Sequence, residues 1–126
     1  MEQTNKRLPY ALWEVNGEEY KLKLTTSAIT KIEEKYKTNL LNFIMDGGIP
    51  PVRVMLDITH AAMQKFNHGI KAKDVYELYD TYIDEGGSMT DFMMDVFIPI
   101  FNASGFFTEA QAEGMTDRLN EAKEQM

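Results

Sequence analysis

Along Glu18-Glu-Tyr-Lys-Leu-Lys-Leu24 apolar and polar positions alternate with a period of two from Tyr20 onward, and the more apolar run Tyr10-Ala-Leu-Trp-Glu-Val15 precedes it, with Asn16-Gly17 between the two runs. That period belongs to a strand with one buried face. Asn-Gly supplies the two positive-φ residues of a type I′ turn, so the pattern predicts a hairpin over 10–24. Pairing outward from the turn sets Trp13 opposite Tyr20 and Ala11 opposite Leu22 on an apolar face. Leu12 opposite Lys21 and Tyr10 opposite Lys23 form a mixed second face. Glu14 opposite Glu19 is a like-charge pair and works slightly against this register. A lone two-stranded hairpin is marginal in water, so it has to lie on helices or pair with another chain.

After Leu24 the period lengthens to that of a helix. Thr25, Thr26 and Ser27 offer N-cap hydroxyls, and Ala28, Ile29, Ile32 and Tyr36 recur at helical spacing, which predicts a helix over about 26–36. Asn39 to Ile44 is either a short continuation or a separate turn, and Asp46-Gly47-Gly48-Ile49-Pro50 reads as a loop. Pro51 suits the first turn of a helix over about 51–66, striped by Val52, Met55, Leu56, Met63 and Phe66 and stopped by Asn67-His68-Gly69. The next helix runs over about 73–85, with Val75, Leu78, Tyr79, Tyr82 and Ile83 on one face, and ends at Gly86-Gly87.

Ser88 can cap a further helix over about 88–102, whose stripe is Met89, Phe92, Met93, Val96, Phe97, Ile100 and Phe101. Pro99 should kink that helix or mark its last turns. Residues 108–126 are polar and form a C-terminal helix or a frayed tail, and residues 1–8 are polar as well. The fold class that follows is α+β, mainly α: an N-terminal β-hairpin packed on a bundle of four to five helices, as one domain over 1–107.

Composition narrows the function. With 126 residues, of which 44% are hydrophobic, the chain can build a core of its own. Thirteen Lys and Arg stand against twenty Asp and Glu, and Arg7, Arg53 and Arg118 lie far apart. Phosphate neutralisation needs clustered basic side chains, so neither nucleic acid nor an anionic membrane is an expected partner. No Cys is present, which removes disulfides, thiolate metal sites and Cys nucleophiles. The start of the chain lacks an apolar signal region and no run approaches a membrane span, so the expected compartment is the cytoplasm.

Chemistry is equally thin. His60 and His68 sit across a helix end without an HExxH pattern, so surface histidines are expected rather than a metal site. Carboxylates recur at Asp80, Asp84 and Asp91, but Tyr82 and Glu85 occupy positions where an EF-hand loop needs a ligand and a glycine. No GxSxG, P-loop or GxGxxG pattern is present. The residues therefore nominate no catalytic group, no metal and no cofactor, and they point to a binding protein rather than an enzyme.

Nine methionines make the chain rich in soft, adaptable side chains. Met89 and Met93 lie on the stripe of the 88–102 helix, where burial is the simpler reading. Met94 and Ile98 fall off that stripe, which marks either a helix buried on two sides or a binding surface. Phe106-Phe107, just after a glycine, is a second apolar candidate. The candidate partner-binding set is thus Met93, Met94, Ile98, Phe101, Phe106 and Phe107, with core burial as the competing reading. An unpaired hairpin edge and the surplus apolar positions also permit a homo-oligomer.

Four segments carry a family resemblance: Trp13-Glu-Val-Asn-Gly-Glu-Glu-Tyr-Lys-Leu-Lys-Leu24; Ile29 and Ile32-Glu-Glu-Lys-Tyr36 with Asn39-Leu40; Asp74-Val-Tyr-Glu-Leu-Tyr-Asp80 with Tyr82-Ile-Asp-Glu-Gly86; and Ser104-Gly-Phe-Phe107. Over roughly residues 10–107 the chain resembles the small tail assembly chaperones of long-tailed (siphovirus-type) bacteriophages and related prophages. A glycine is expected after the first helix in that pattern, and Lys37-Thr38 stands there instead. The resemblance implies a protein that binds the tail tape-measure protein and recruits tail-tube subunits in the cytoplasm of the bacterial host. It implies no catalytic residues, and a longer form is often made by ribosomal frameshifting in such chaperones. The alternatives are a structural virion protein, of head–tail connector or tail-terminator type, and a small phage regulatory binding protein.

Overall fold

Asn16 and Gly17 both take positive φ, 54° and 82°, and between them they reverse the chain from β1 (Ala11–Val15) into β2 (Glu18–Leu22). The computed structural model describes residues 9–45, 48–108 and 110–111. Its pairing is antiparallel with Ala11 opposite Leu22, Leu12 opposite Lys21, Trp13 opposite Tyr20 and Glu14 opposite Glu19, as the alternation requires. Ala11, Trp13, Val15 and Leu22 are buried and the intervening side chains of β1 are exposed. One face of the hairpin therefore closes a helical core, and the architecture is α+β, mainly α.

The helices are α1 (Thr26–Tyr36), a short α2 (Asn42–Met45), α3 (Val52–Met63), α4 (Ala72–Asp84), α5 (Met89–Phe92), a π-helical turn (Met93–Phe97) and α6 (Ile98–Ala103). Side-chain caps start two of them. The Thr25 hydroxyl accepts from the Ala28 N–H at 3.2 Å, and the Ser88 hydroxyl accepts from the Asp91 N–H at 3.0 Å. At the head of α4 the Asp74 carboxylate accepts from the Lys71 N–H at 2.9 Å. Strand β1 lies on α4, the π turn and α6, while β2 lies on α3. Beyond β2, the Lys23 N–H donates to the Ala62 carbonyl at 3.0 Å and the Leu24 N–H donates to the Ser104 hydroxyl at 2.9 Å. These two bonds tie the exit of the hairpin to both α3 and the end of α6.

At three places the structure decides or alters what the periodicity gives. Of the two readings for Asn39 to Ile44, the separate turn is the one adopted: the chain turns at Lys37 and a short helix, α2, begins at Asn42. Lys37 takes φ 56° and ψ 40°, the left-handed conformation that costs a non-glycine residue about 1–2 kcal/mol. This is the position where the resemblance calls for glycine. Helix α3 stops at Met63, and the chain tightens into i+3 turns through Phe66, whose N–H donates to the Met63 carbonyl at 3.0 Å. The third is the π turn: the Ile98 N–H reaches back five residues to the Met93 carbonyl. Pro99, with no N–H to donate, follows at once, so the helix is re-phased rather than broken. The expected tail beyond Gln111 and the polar residues 1–8 lie outside the described residues.

At the centre of the core four aromatic rings meet. Trp13 packs edge-to-face on Phe92 and Tyr82 at centroid distances of 5.1 and 5.9 Å, and Tyr79 meets Phe92 at 5.2 Å. Gly87 makes this possible, since a Cβ there would stand 2.5 Å from the Tyr82 ring. The Trp13 indole N–H is buried and has no hydrogen-bond partner among the described residues.

Candidate interaction surface

Polar side chains converge at one half-buried point between α1 and α3. The Asp57 carboxylate accepts from the Lys35 ammonium at 2.8 Å and from the Tyr36 hydroxyl, and the Arg53 guanidinium stands 3.9 Å away. Burial pushes the Asp57 carboxyl up, but the hydrogen bonds from Lys35 and Tyr36 together with the charges of Lys35 and Arg53 outweigh it and hold it below the ordinary range. Burial first, then the bond to Asp57, pushes the Tyr36 phenol up to about 12. The cluster joins two helices, so its first consequence is for stability.

That consequence is a stability window with two edges. The lowered carboxyl pKa stabilises the fold above the unfolded value of about 3.9 and loses its contribution as pH falls through the folded one. The raised phenol pKa stabilises fully below about 10. That contribution disappears as pH rises through about 12. Tyr36→Phe is expected to cost about 1.5–3 kcal/mol at neutral pH, the size of a hydrogen bond to a charged group. It should also flatten the alkaline edge and soften the acid edge, of which Lys35 and Arg53 sustain the remainder. Urea melts at several pH values read both effects, and an unchanged alkaline edge would show that Tyr36 does not set it.

Each histidine has one ring nitrogen tied to a backbone carbonyl. The His60 Nε2–H donates to the Ile70 carbonyl at 2.9 Å, and the His68 Nδ1–H donates to the Gln64 carbonyl at 2.6 Å. His60 is half-buried rather than on the surface, and it stitches the end of α3 to the approach of α4. Among the described residues no group of three His, Asp or Glu side chains is placed to hold a metal ion. Among them too, no helix is long and apolar enough to cross a membrane.

The six residues nominated for partner binding separate into two groups. Ile98, Phe101 and Phe107 are buried in the core cluster, so the fold removes them from the surface. Met93, Met94 and Phe106 are half-buried, and Phe106 stacks on Phe101 at 4.8 Å. The physical reason is the π turn. Each residue advances an α-helix by about 100°, and the wider turn returns part of that rotation. Ile98, off the stripe on a regular helical wheel, is thereby turned inward beside Phe97 and Ile100. Of the two readings for this helix, burial on two sides is the one the structure adopts for Ile98.

The apolar side chains that do face solvent lie elsewhere. Leu12 is 44% exposed on the outer face of the hairpin and Phe66 is 40% exposed just past α3. They belong to one patch: Tyr10 meets Phe66 edge-to-face at 5.8 Å, and the Lys21 ammonium, opposite Leu12 in the sheet, sits 4.9 Å over the Tyr10 ring. The Lys65 ammonium lies 5.9 Å from the Phe66 ring. A shallow cleft of about 270 Å³ runs beside the patch, floored by Tyr20, Met63 and Phe66. Sequence patterning misses this surface for a local reason. Phe66 falls on the α3 stripe if the helix continues, and it leaves that stripe because the helix ends three residues earlier. The polar sequence Asn67-His68-Gly69 is the signal that the stripe should be cut short.

A family model described as a family of unknown function (DUF6096) matches residues 12–124. No curated protein and no solved structure matches the chain.

Proposed function

The chain belongs to the DUF6096 family, whose function is unknown, and from that premise we propose that it is a phage tail assembly chaperone that binds the tape-measure protein and recruits tail-tube subunits. The observation that carries this reading is the patch of exposed Leu12 and Phe66 with half-buried Tyr10 between the hairpin and the end of α3, flanked by Lys21 and Lys65. A long helical partner that is aggregation-prone before assembly presents an apolar stripe with charges on either side. Laid across this patch, the stripe meets one aliphatic and two aromatic side chains while its flanking carboxylates meet the two ammonium groups. The chain's place of action is the cytoplasm of the infected bacterial host.

Co-expression with the tape-measure and tube proteins of the same gene cluster tests the proposal. The chain should co-purify with the tape measure and raise its soluble yield, and Leu12→Asp combined with Phe66→Ser should abolish both while the variant still folds. Failure of the wild-type chain to retain or solubilise either protein would sink the reading.

A further inference from the structure

Acidic and basic side chains are segregated along the fold. Residues 71–95 carry seven acidic and two basic side chains, whereas residues 21–65 carry seven basic and four acidic. On α4 the exposed positions Lys73, Tyr76, Glu77, Asp80, Ile83 and Asp84 repeat at three- and four-residue steps, so they form one stripe along the helix. Tyr76 and Ile83 are 44% and 39% exposed, and they stand two turns apart with the three carboxylates beside them. None of those carboxylates has an ion-pair partner among the described residues.

The complementary surface is on the same chain. Between α1 and α3 lies a cleft of about 290 Å³ with an apolar floor of Ala28, Ile32 and Ala61 and with Lys31 and Lys65 on its rim. Both lysines are exposed and, among the described residues, neither has an ion-pair partner. The small alanine side chains leave room for a large one to enter. An apolar knob flanked by carboxylates on α4 thus matches an apolar recess flanked by ammonium groups, and the two surfaces share no residue.

We propose that the acidic face of α4 on one copy docks in the lysine-rimmed α1–α3 cleft of a second copy. The contact is heterologous: each copy uses one face to give and the other to receive. Copies therefore add head to tail, and the series stays open unless its rotation closes a ring. This inference does not depend on the chaperone reading. It uses surfaces other than the Leu12–Phe66 patch, apart from Lys65 at their border.

Sedimentation velocity of the full chain over rising concentration tests it. Association is expected at low salt, and it should weaken at least about tenfold near 0.5 M salt, where exposed charges are screened within a few ångströms. Asp80→Lys and Lys65→Glu should each cut association at least about tenfold, with far-UV circular dichroism unchanged. An equimolar mixture of the two variants should regain association in equal ratio, because each supplies the face that the other has lost. A monomer at every concentration overturns the proposal. So does an oligomer sensitive to only one of the two substitutions, or a mixture that stays apart.

Discussion

Trp13→Ala is expected to lower the unfolding free energy by about 3–5 kcal/mol, the range for emptying a large aromatic site in a packed core. Trp13 is 1% exposed and touches rings from α4 and α5, so its loss opens a space that no single neighbour can fill. The other buried side chains of the hairpin strands, Ala11, Val15 and Leu22, are smaller, and the outer face is turned to solvent. Trp13→Phe should cost less than half as much. It keeps a ring against Phe92 and removes an indole N–H that is buried without a hydrogen-bond partner among the described residues, a group that penalises the native fold by about 1–3 kcal/mol. Urea unfolding followed by circular dichroism at 222 nm (about the helical minimum) measures both, and a loss below about 1 kcal/mol for the alanine variant would contradict the packing.

Ile98→Asp should destabilise the fold by more than about 3 kcal/mol, because it places an ionisable group in an apolar core. Leu12→Asp, by contrast, should change stability by no more than about 0.5 kcal/mol, as expected for an exposed position. The two substitutions make the same chemical change at sites that patterning alone ranks in the opposite order. Ile98 stands off the stripe of a regular helix and is 5% exposed; Leu12 belongs to an ordinary mixed strand face and is 44% exposed. If Ile98→Asp remained folded and instead lost a partner, the surface role of this helix would be restored.

Most of the hairpin is legible in the residues alone, because an Asn-Gly turn and a period of two leave a single register that buries Trp13, Ala11 and Leu22 together. The caps at Thr25 and Ser88 are readable for a similar reason: each effect is local to three or four residues. The candidate surface is much less legible. It depends on where α3 stops, on how Pro99 is accommodated, and on which elements cover the 88–102 helix. Those are tertiary outcomes, and a helical wheel that assumes about 3.6 residues per turn throughout puts Ile98 outside although it places Ile100 and Phe101 correctly in the core. The charge segregation is visible only in part. The basic residues look scattered along the chain, and α1 and α3 bring Lys31 and Lys65 to the rim of one cleft.

The π turn also makes the length of this segment a structural variable in its own right. Between Ser88, which caps one end, and Ser104, which receives the Leu24 N–H at the other, the helix contains one more residue than a regular α-helix would need to carry the same face inward. Deleting one residue from Met93–Phe97 would let the helix become regular while the residues after it keep their facing and Ser104 stays by the hairpin, whereas a further insertion would swing them around the axis. Chains of this family should therefore tolerate the loss of one residue from the segment better than the gain of one. Insertions and deletions belong in the connections on either side of α2, where Met45 and Ile49 face solvent.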